Sequence, residues 1–108
     1  MSHPTTALSN VVHQRVRLGI LTVLSQVSRA DFAFLRDRLE LTDGNLSRNL
    51  VVLEESGYVT IEKGFEGKRP RTWIAITREG AQALDDEVGA LRQLLAEFDG
   101  KKAPKSTL

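Results

Sequence analysis

The chain has 108 residues, 41% of them hydrophobic, a formal net charge of +1 and no cysteine. That length suits one packed domain and is short for two. Without cysteine, a disulfide framework, a thiolate metal site and a thiol redox switch are excluded.

Two histidines, His3 and His13, are too few for a structural zinc site, and no metal or other cofactor is expected. No apolar run approaches the ~20 residues of a membrane span. The start, Met1-Ser-His-Pro-Thr-Thr6, lacks the layout of a signal peptide, so the expectation is a cytoplasmic protein. No Ser-His-Asp set, paired-carboxylate pocket or phosphate loop stands out, which speaks against an enzyme.

The small net charge hides an uneven distribution. Residues 1–30 carry Arg15, Arg17 and Arg29 and no acid, whereas residues 78–99 are mainly acidic, with Glu79, Asp85, Asp86, Glu87, Glu97 and Asp99. Lys63, Lys68, Arg69 and Arg71 cluster in between. One basic and one acidic face fit a DNA binder of low net charge, and equally fit an ordinary solvated surface.

Residues 1–9 are expected to be a flexible terminus, residues 10–99 the folded domain, and residues 100–108, broken by Gly100 and Pro104, a disordered tail. A first helix is predicted from Asn10 to Val27. Its apolar face is Val12, Val16, Ile20, Val23, Leu24 and Val27. Leu18 and Leu21 fall outside that face, so a second surface covers them: a partner helix, or the carboxy-terminal helix of the same chain.

A second helix starts near Asp31, a favourable N-cap, and buries Phe32, Leu35 and Leu39. Leu41 plugs the turn that follows. A third helix is capped by Thr42, has Asp43 at its positive end, buries Leu46, Leu50 and Leu53, and stops at Gly57. Two strands rich in β-branched and aromatic residues come next, Tyr58–Lys63 and Thr72–Thr77. Gly64 and Gly67 permit the reversal between them, and Trp73 is read as a core or strand-face residue rather than a base-stacking one. A last helix is predicted over residues 78–98. Its seam of Leu84, Val88, Leu91, Leu95 and Phe98 steps by four and three residues.

The fold class implied is mainly α with a small β-hairpin wing: a winged helix-turn-helix with a carboxy-terminal dimerisation helix. Opposite the buried leucines of the third helix point Gly44, Asn45, Arg48, Val51 and Val52, with Ser47 on the flank; the candidate DNA contacts near the amino end are the capping Thr42, Gly44, Asn45, Ser47, Arg48 and Asn49. Arg offers two donors to guanine, Asn a donor and an acceptor to adenine, and Ser and Thr hydroxyls reach phosphates. Gly44 lets the backbone approach closely. Lys63, Lys68, Arg69 and Arg71 are the wing contacts to phosphates or the minor groove. Leu18, Leu21, Leu84, Val88, Leu91, Leu95 and Phe98 are the candidate dimer interface.

The runs Phe34-Leu-Arg-Asp-Arg-Leu-Glu-Leu-Thr-Asp-Gly-Asn-Leu-Ser-Arg-Asn-Leu50, Leu53-Glu-Glu-Ser-Gly-Tyr-Val59 and Lys63-Gly-Phe-Glu-Gly-Lys-Arg-Pro-Arg-Thr72 resemble short winged-helix transcriptional regulators related to the MarR and ArsR groups. The resemblance covers roughly residues 12 to 97. It implies a third helix in the major groove, a wing on the neighbouring minor groove, and a homodimeric repressor on a pseudo-palindromic operator, with a small-molecule effector in some members. Asn49 stands where such regulators often carry His, and the cysteines of the metal-sensing members are absent. The competing expectation is a winged-helix protein–protein interaction module that does not read DNA.

Overall fold

Among the described residues, four helices and a three-stranded sheet follow one another: α1 (Pro4–Leu24), β1 (Ala30–Asp31), α2 (Phe32–Arg38), α3 (Asp43–Glu55), β2 (Val59–Glu66), β3 (Arg69–Ile76) and α4 (Arg78–Thr107). The computed structural model describes the backbone of residues 4–107 and the side chains of residues 14–100. The side chains of His3, Val12 and His13 lie outside the described residues. The expected α+β architecture, helix-turn-helix then hairpin then long helix, is the one formed.

The core gathers one face from every element. Ile20, Leu24, Leu35, Leu46 and Ile74 are fully enclosed, with Val23, Leu50, Leu53, Val59 and Leu84 around them. Burying one such side chain contributes roughly 1.5–3 kcal/mol, so this cluster dominates the stability of a domain this small.

Local chemistry sets the element boundaries. Asp31 caps α2 by accepting the Phe34 backbone N–H at 2.7 Å, and Thr42 caps α3 by accepting that of Asn45 at 3.1 Å. Both helices end in the same reversal. After α2, Leu41 N–H reaches Arg36 O and Glu40 N–H reaches Asp37 O; after α3, Tyr58 N–H reaches Leu53 O and Gly57 N–H reaches Glu54 O. The residue at the bend has positive φ in each case, +54° at Glu40 and +79° at Gly57. Glycine takes that conformation freely, whereas Glu40 holds it at some conformational cost.

Several expectations need correcting. Pro4 already opens α1, within the terminus expected to be flexible; residues 1–3 lie outside the described residues. The helix ends at Leu24, not Val27, because the next backbone bonds shorten to Gln26 N–H on Val23 O and Val27 N–H on Leu24 O. The expected disordered tail is also largely helical, since α4 runs through Gly100 and Pro104 to Thr107; residue 108 lies outside the described residues. Gly100 lowers propensity and Pro104 brings no N–H, but the other residues added to an existing helix each still form a backbone bond.

The sheet order is β1-β3-β2, all antiparallel. The strand β1, two residues pairing with Trp73 and Ile74, was not anticipated, since two residues carry no periodicity. The hairpin is longer than expected. Glu66 pairs with Arg69, so the loop is only Gly67 and Lys68, with Gly67 at φ +64°. Gly64 lies inside β2 opposite Arg71 and takes no part in the reversal.

Thr77 joins the hairpin to α4. Its hydroxyl donates to Gly57 O at 2.6 Å and accepts the Gly80 N–H at 2.9 Å, while its own N–H reaches Tyr58 O. Gly80 is buried there, and a Cβ on it would run into the Tyr58 carbonyl.

Candidate nucleic-acid interface

With Leu46, Leu50 and Leu53 fixed in the core, the helical step turns the opposite side of α3 to solvent. Thr42, Gly44, Ser47 and Arg48 are exposed there, Val51 is half exposed, and Asn45 is partly covered. A Cβ placed on Gly44 would meet no neighbouring group within 4 Å, so this side of the helix start is open. The unpaired N–H groups of that first turn favour an anion such as a phosphate.

The turn before α3 is braced by Arg36 of α2. Its guanidinium donates to Asp37 and to Asp43, each at 2.9 Å. The hydrogen bond to Asp37 first, then that to Asp43, raises the Arg36 pKa further above its ordinary value, so this cation stays charged. Asp37 and Asp43 are largely exposed, and such pairs orient more than they stabilise.

Asn49 departs from expectation. It is 3% exposed and faces α1, not the solvent. Its amide donates to Asn45 O at 2.8 Å and to Asn45 Oδ1 at 2.9 Å, and its oxygen accepts Arg17 Nε at 3.3 Å. A step of three residues from Leu46 carries it to the edge of the buried face, where a polar group must find partners.

Beside α3 stands the wing. Lys63, Lys68 and Arg69 are exposed, and Phe65 at 74% exposure projects near its end. Lys63 shares a strand face with Ile61 and lines a groove of about 450 Å³ between α3 and the hairpin, with Ser47, Val51 and Glu54 on the helix side.

Arg71 is a second departure. Its Nη1 donates to Asp31 Oδ2 at 2.7 Å and its Nη2 to Glu66 Oε1 at 2.9 Å, and its Nε is buried with no hydrogen-bond partner among the described residues. This arginine fastens β3 to the start of α2 instead of facing outward. Strand alternation puts Arg71 on the face of Trp73, opposite the buried Ile74, where Asp31, the register partner of Trp73, comes within its reach. Trp73 itself is half buried beneath the Arg29 guanidinium, 4.0 Å from its ring centroid, in the strand-face role expected of it.

The expected dimer residues divide. Leu21 and Leu84 are buried in the core of this one chain, and Leu18 and Val88 pack against that core. Leu91, Leu95 and Phe98 remain exposed, and Leu94, outside the expected seam, is exposed with them. Of the two surfaces considered for Leu18 and Leu21, the intramolecular one is realised. Between α1 and α4 a cleft of about 370 Å³ is lined by residues that include Arg17, Tyr58, Asp86 and Glu87.

The sequence model of the family described as winged helix DNA-binding domain matches residues 16–95. The chain belongs to that family. Its fold and family are those of DNA-binding transcriptional regulators. It is 38% identical over 79 residues to an uncharacterized protein of Methanocaldococcus jannaschii, a match spanning 73% of this chain and 86% of the relative. A transcriptional regulator homologue from Pyrococcus horikoshii is 34% identical, with a TM-score of 0.74 over 79% of this chain and 84% of that one. Bacillus subtilis PadR, solved in complex with operator DNA, shares the fold at a TM-score of 0.61 and 16% identity, over 68% of this chain and 47% of that one. Among the described residues no helix is long and apolar enough to cross a membrane.

Proposed function

We propose that the protein is a homodimeric, sequence-specific repressor of transcription that works in the cytoplasm on duplex operator DNA. The observation that carries this is the juxtaposition of two surfaces. The open amino half of α3, with Gly44, Ser47 and Arg48, stands beside an eight-residue-per-strand hairpin bearing Lys63, Lys68 and Arg69. A helix of this kind fits a major groove, and the cationic strand pair beside it then meets phosphates or the next minor groove.

The carboxy half of α4 supplies the surface for the second copy. Leu94 and Leu95, each 61% exposed, and Leu91 form an apolar strip beyond the domain's own core. Two-fold pairing along it presents two recognition helices to half-sites about one DNA turn, ~34–36 Å, apart. The narrower grouping with MarR- and ArsR-related regulators rests on the sequence runs alone, while PadR shares the fold; the reading advanced is therefore winged-helix repressor without that narrower label. A small-molecule effector would find space in the α1–α4 cleft.

The test is fluorescence anisotropy with a labelled duplex from upstream of the protein's own gene and a scrambled duplex, across a salt series. Tight, salt-steep binding to the first duplex only supports the reading. No binding to either at low salt would favour a protein-interaction module.

A further inference from the structure

The polar chain running from α1 into α3 determines how one recognition residue presents itself. Asn49 Nδ2 donates to the Asn45 carbonyl oxygen, which only accepts, and Asn49 Oδ1 accepts from Arg17 Nε, which only donates. Turning the Asn49 amide over would set like groups face to face, so its orientation is chemically forced. The Asn49 amide also reaches Asn45 Oδ1 at 2.9 Å. Asn45 must therefore keep its oxygen toward Asn49 and its amino group away from it. Among the described residues that amino group has no hydrogen-bond acceptor.

This bears on base choice. Two-point reading of adenine needs the asparagine oxygen and nitrogen together, the oxygen taking the base amino group and the nitrogen giving to N7. Here that oxygen is held toward the buried Asn49, which takes one of its two lone pairs and fixes which way the amide turns. Guanine offers N7 and O6, two adjacent acceptors that suit two free N–H groups.

We propose that Asn45 reads its base pair as a hydrogen-bond donor, selecting guanine over adenine, and that Asn49, held by Arg17, is the positioning residue that sets this choice. The inference rests on the DNA-binding reading above and adds its specificity.

The experiment is selection of binding sites from a random-sequence duplex library with the full chain, its Asn45→Ala variant and its Asn49→Leu variant, with Asn49→Ser as a second variant should leucine unsettle the fold. Asn45→Ala should flatten preference at one position per half-site, by about five-fold or more, the lower end for one wrong base pair. That position should be G·C in the unmodified protein. In a folded Asn49 variant the freed Asn45 oxygen should move it toward A·T. An A·T pair there in the unmodified protein, no position altered by Asn45→Ala, or an unmoved preference in a folded Asn49 variant each overturns the proposal. Enrichment of no sequence by the unmodified protein would overturn the DNA-binding reading as well, which distinguishes the two failures.

Discussion

Asp31 holds two structures at once, and removing it should show both. Its Oδ1 caps α2 and its Oδ2 receives Arg71, in a pair whose side chains are only 19% and 26% exposed. Loss of a helix cap costs about 1 kcal/mol. Loss of a hydrogen bond to a charged group costs about 1.5–3 kcal/mol, and the Arg71 guanidinium would be left half buried. Asp31→Ala should therefore lose about 2–4 kcal/mol. Asp31→Asn has one oxygen for the two tasks: keeping the cap turns its amino group toward the Arg71 donor, so it should still lose the ion pair's share, about 1.5–3 kcal/mol. Arg71→Ala keeps the cap too, and combining it with Asp31→Ala should expose a coupling of about 1–2 kcal/mol. The assay is urea unfolding at one fixed protein concentration, since dimerisation would shift apparent stability. The same variants belong in the DNA salt series. Arg71→Ala should leave the salt slope unchanged. A coupling below about 0.5 kcal/mol, or a slope lowered by about one unit with stability intact, would refute the assignment of Arg71 to the frame.

Arg69→Ala and Lys68→Ala should each weaken binding to operator and scrambled duplexes alike and lower the salt slope by about one unit, read by anisotropy. Gly80→Ala should lose about 1–3 kcal/mol or fail to fold, seen as a lowered melting temperature, because the added methyl meets backbone that cannot turn aside. Leu94→Glu with Leu95→Glu should leave a folded monomer by light scattering, both side chains being exposed in the single chain. Glu40→Gly should raise stability by a few tenths to about 1 kcal/mol and Gly57→Ala lower it by about 1 kcal/mol, as both positions have positive φ.

The contrast between Arg69 and Arg71 shows where sequence reasoning reaches its end. Both lie in one basic run, and charge counting treats them alike. What separates them is register: a loop of two residues sets Arg69 opposite Glu66 and Arg71 opposite Gly64. Arg71 then meets Asp31, forty positions away, through a strand too short to leave a pattern. The helices, caps and hairpin were legible because propensity, capping and alternation act within a few residues. Long-range partners were not. Leu21 and Leu84 looked like half of a dimer seam because a seam and a core both demand apolar residues at helical spacing; only the packing of α4 on α1 decides between them. Asn49 looked like a base reader because asparagine is one of the residues that read bases, yet Arg17 on another helix turns it into support for Asn45. The candidate interface is accordingly narrower than composition suggests. It comprises the exposed first turns of α3 and three wing cations, and behind them the Arg71–Asp31 and Arg17–Asn49 contacts bind the reading surface to the core. A surface held in this way is preorganised, so changes at Asp31 or Arg17 should reach DNA affinity without either side chain touching a nucleotide.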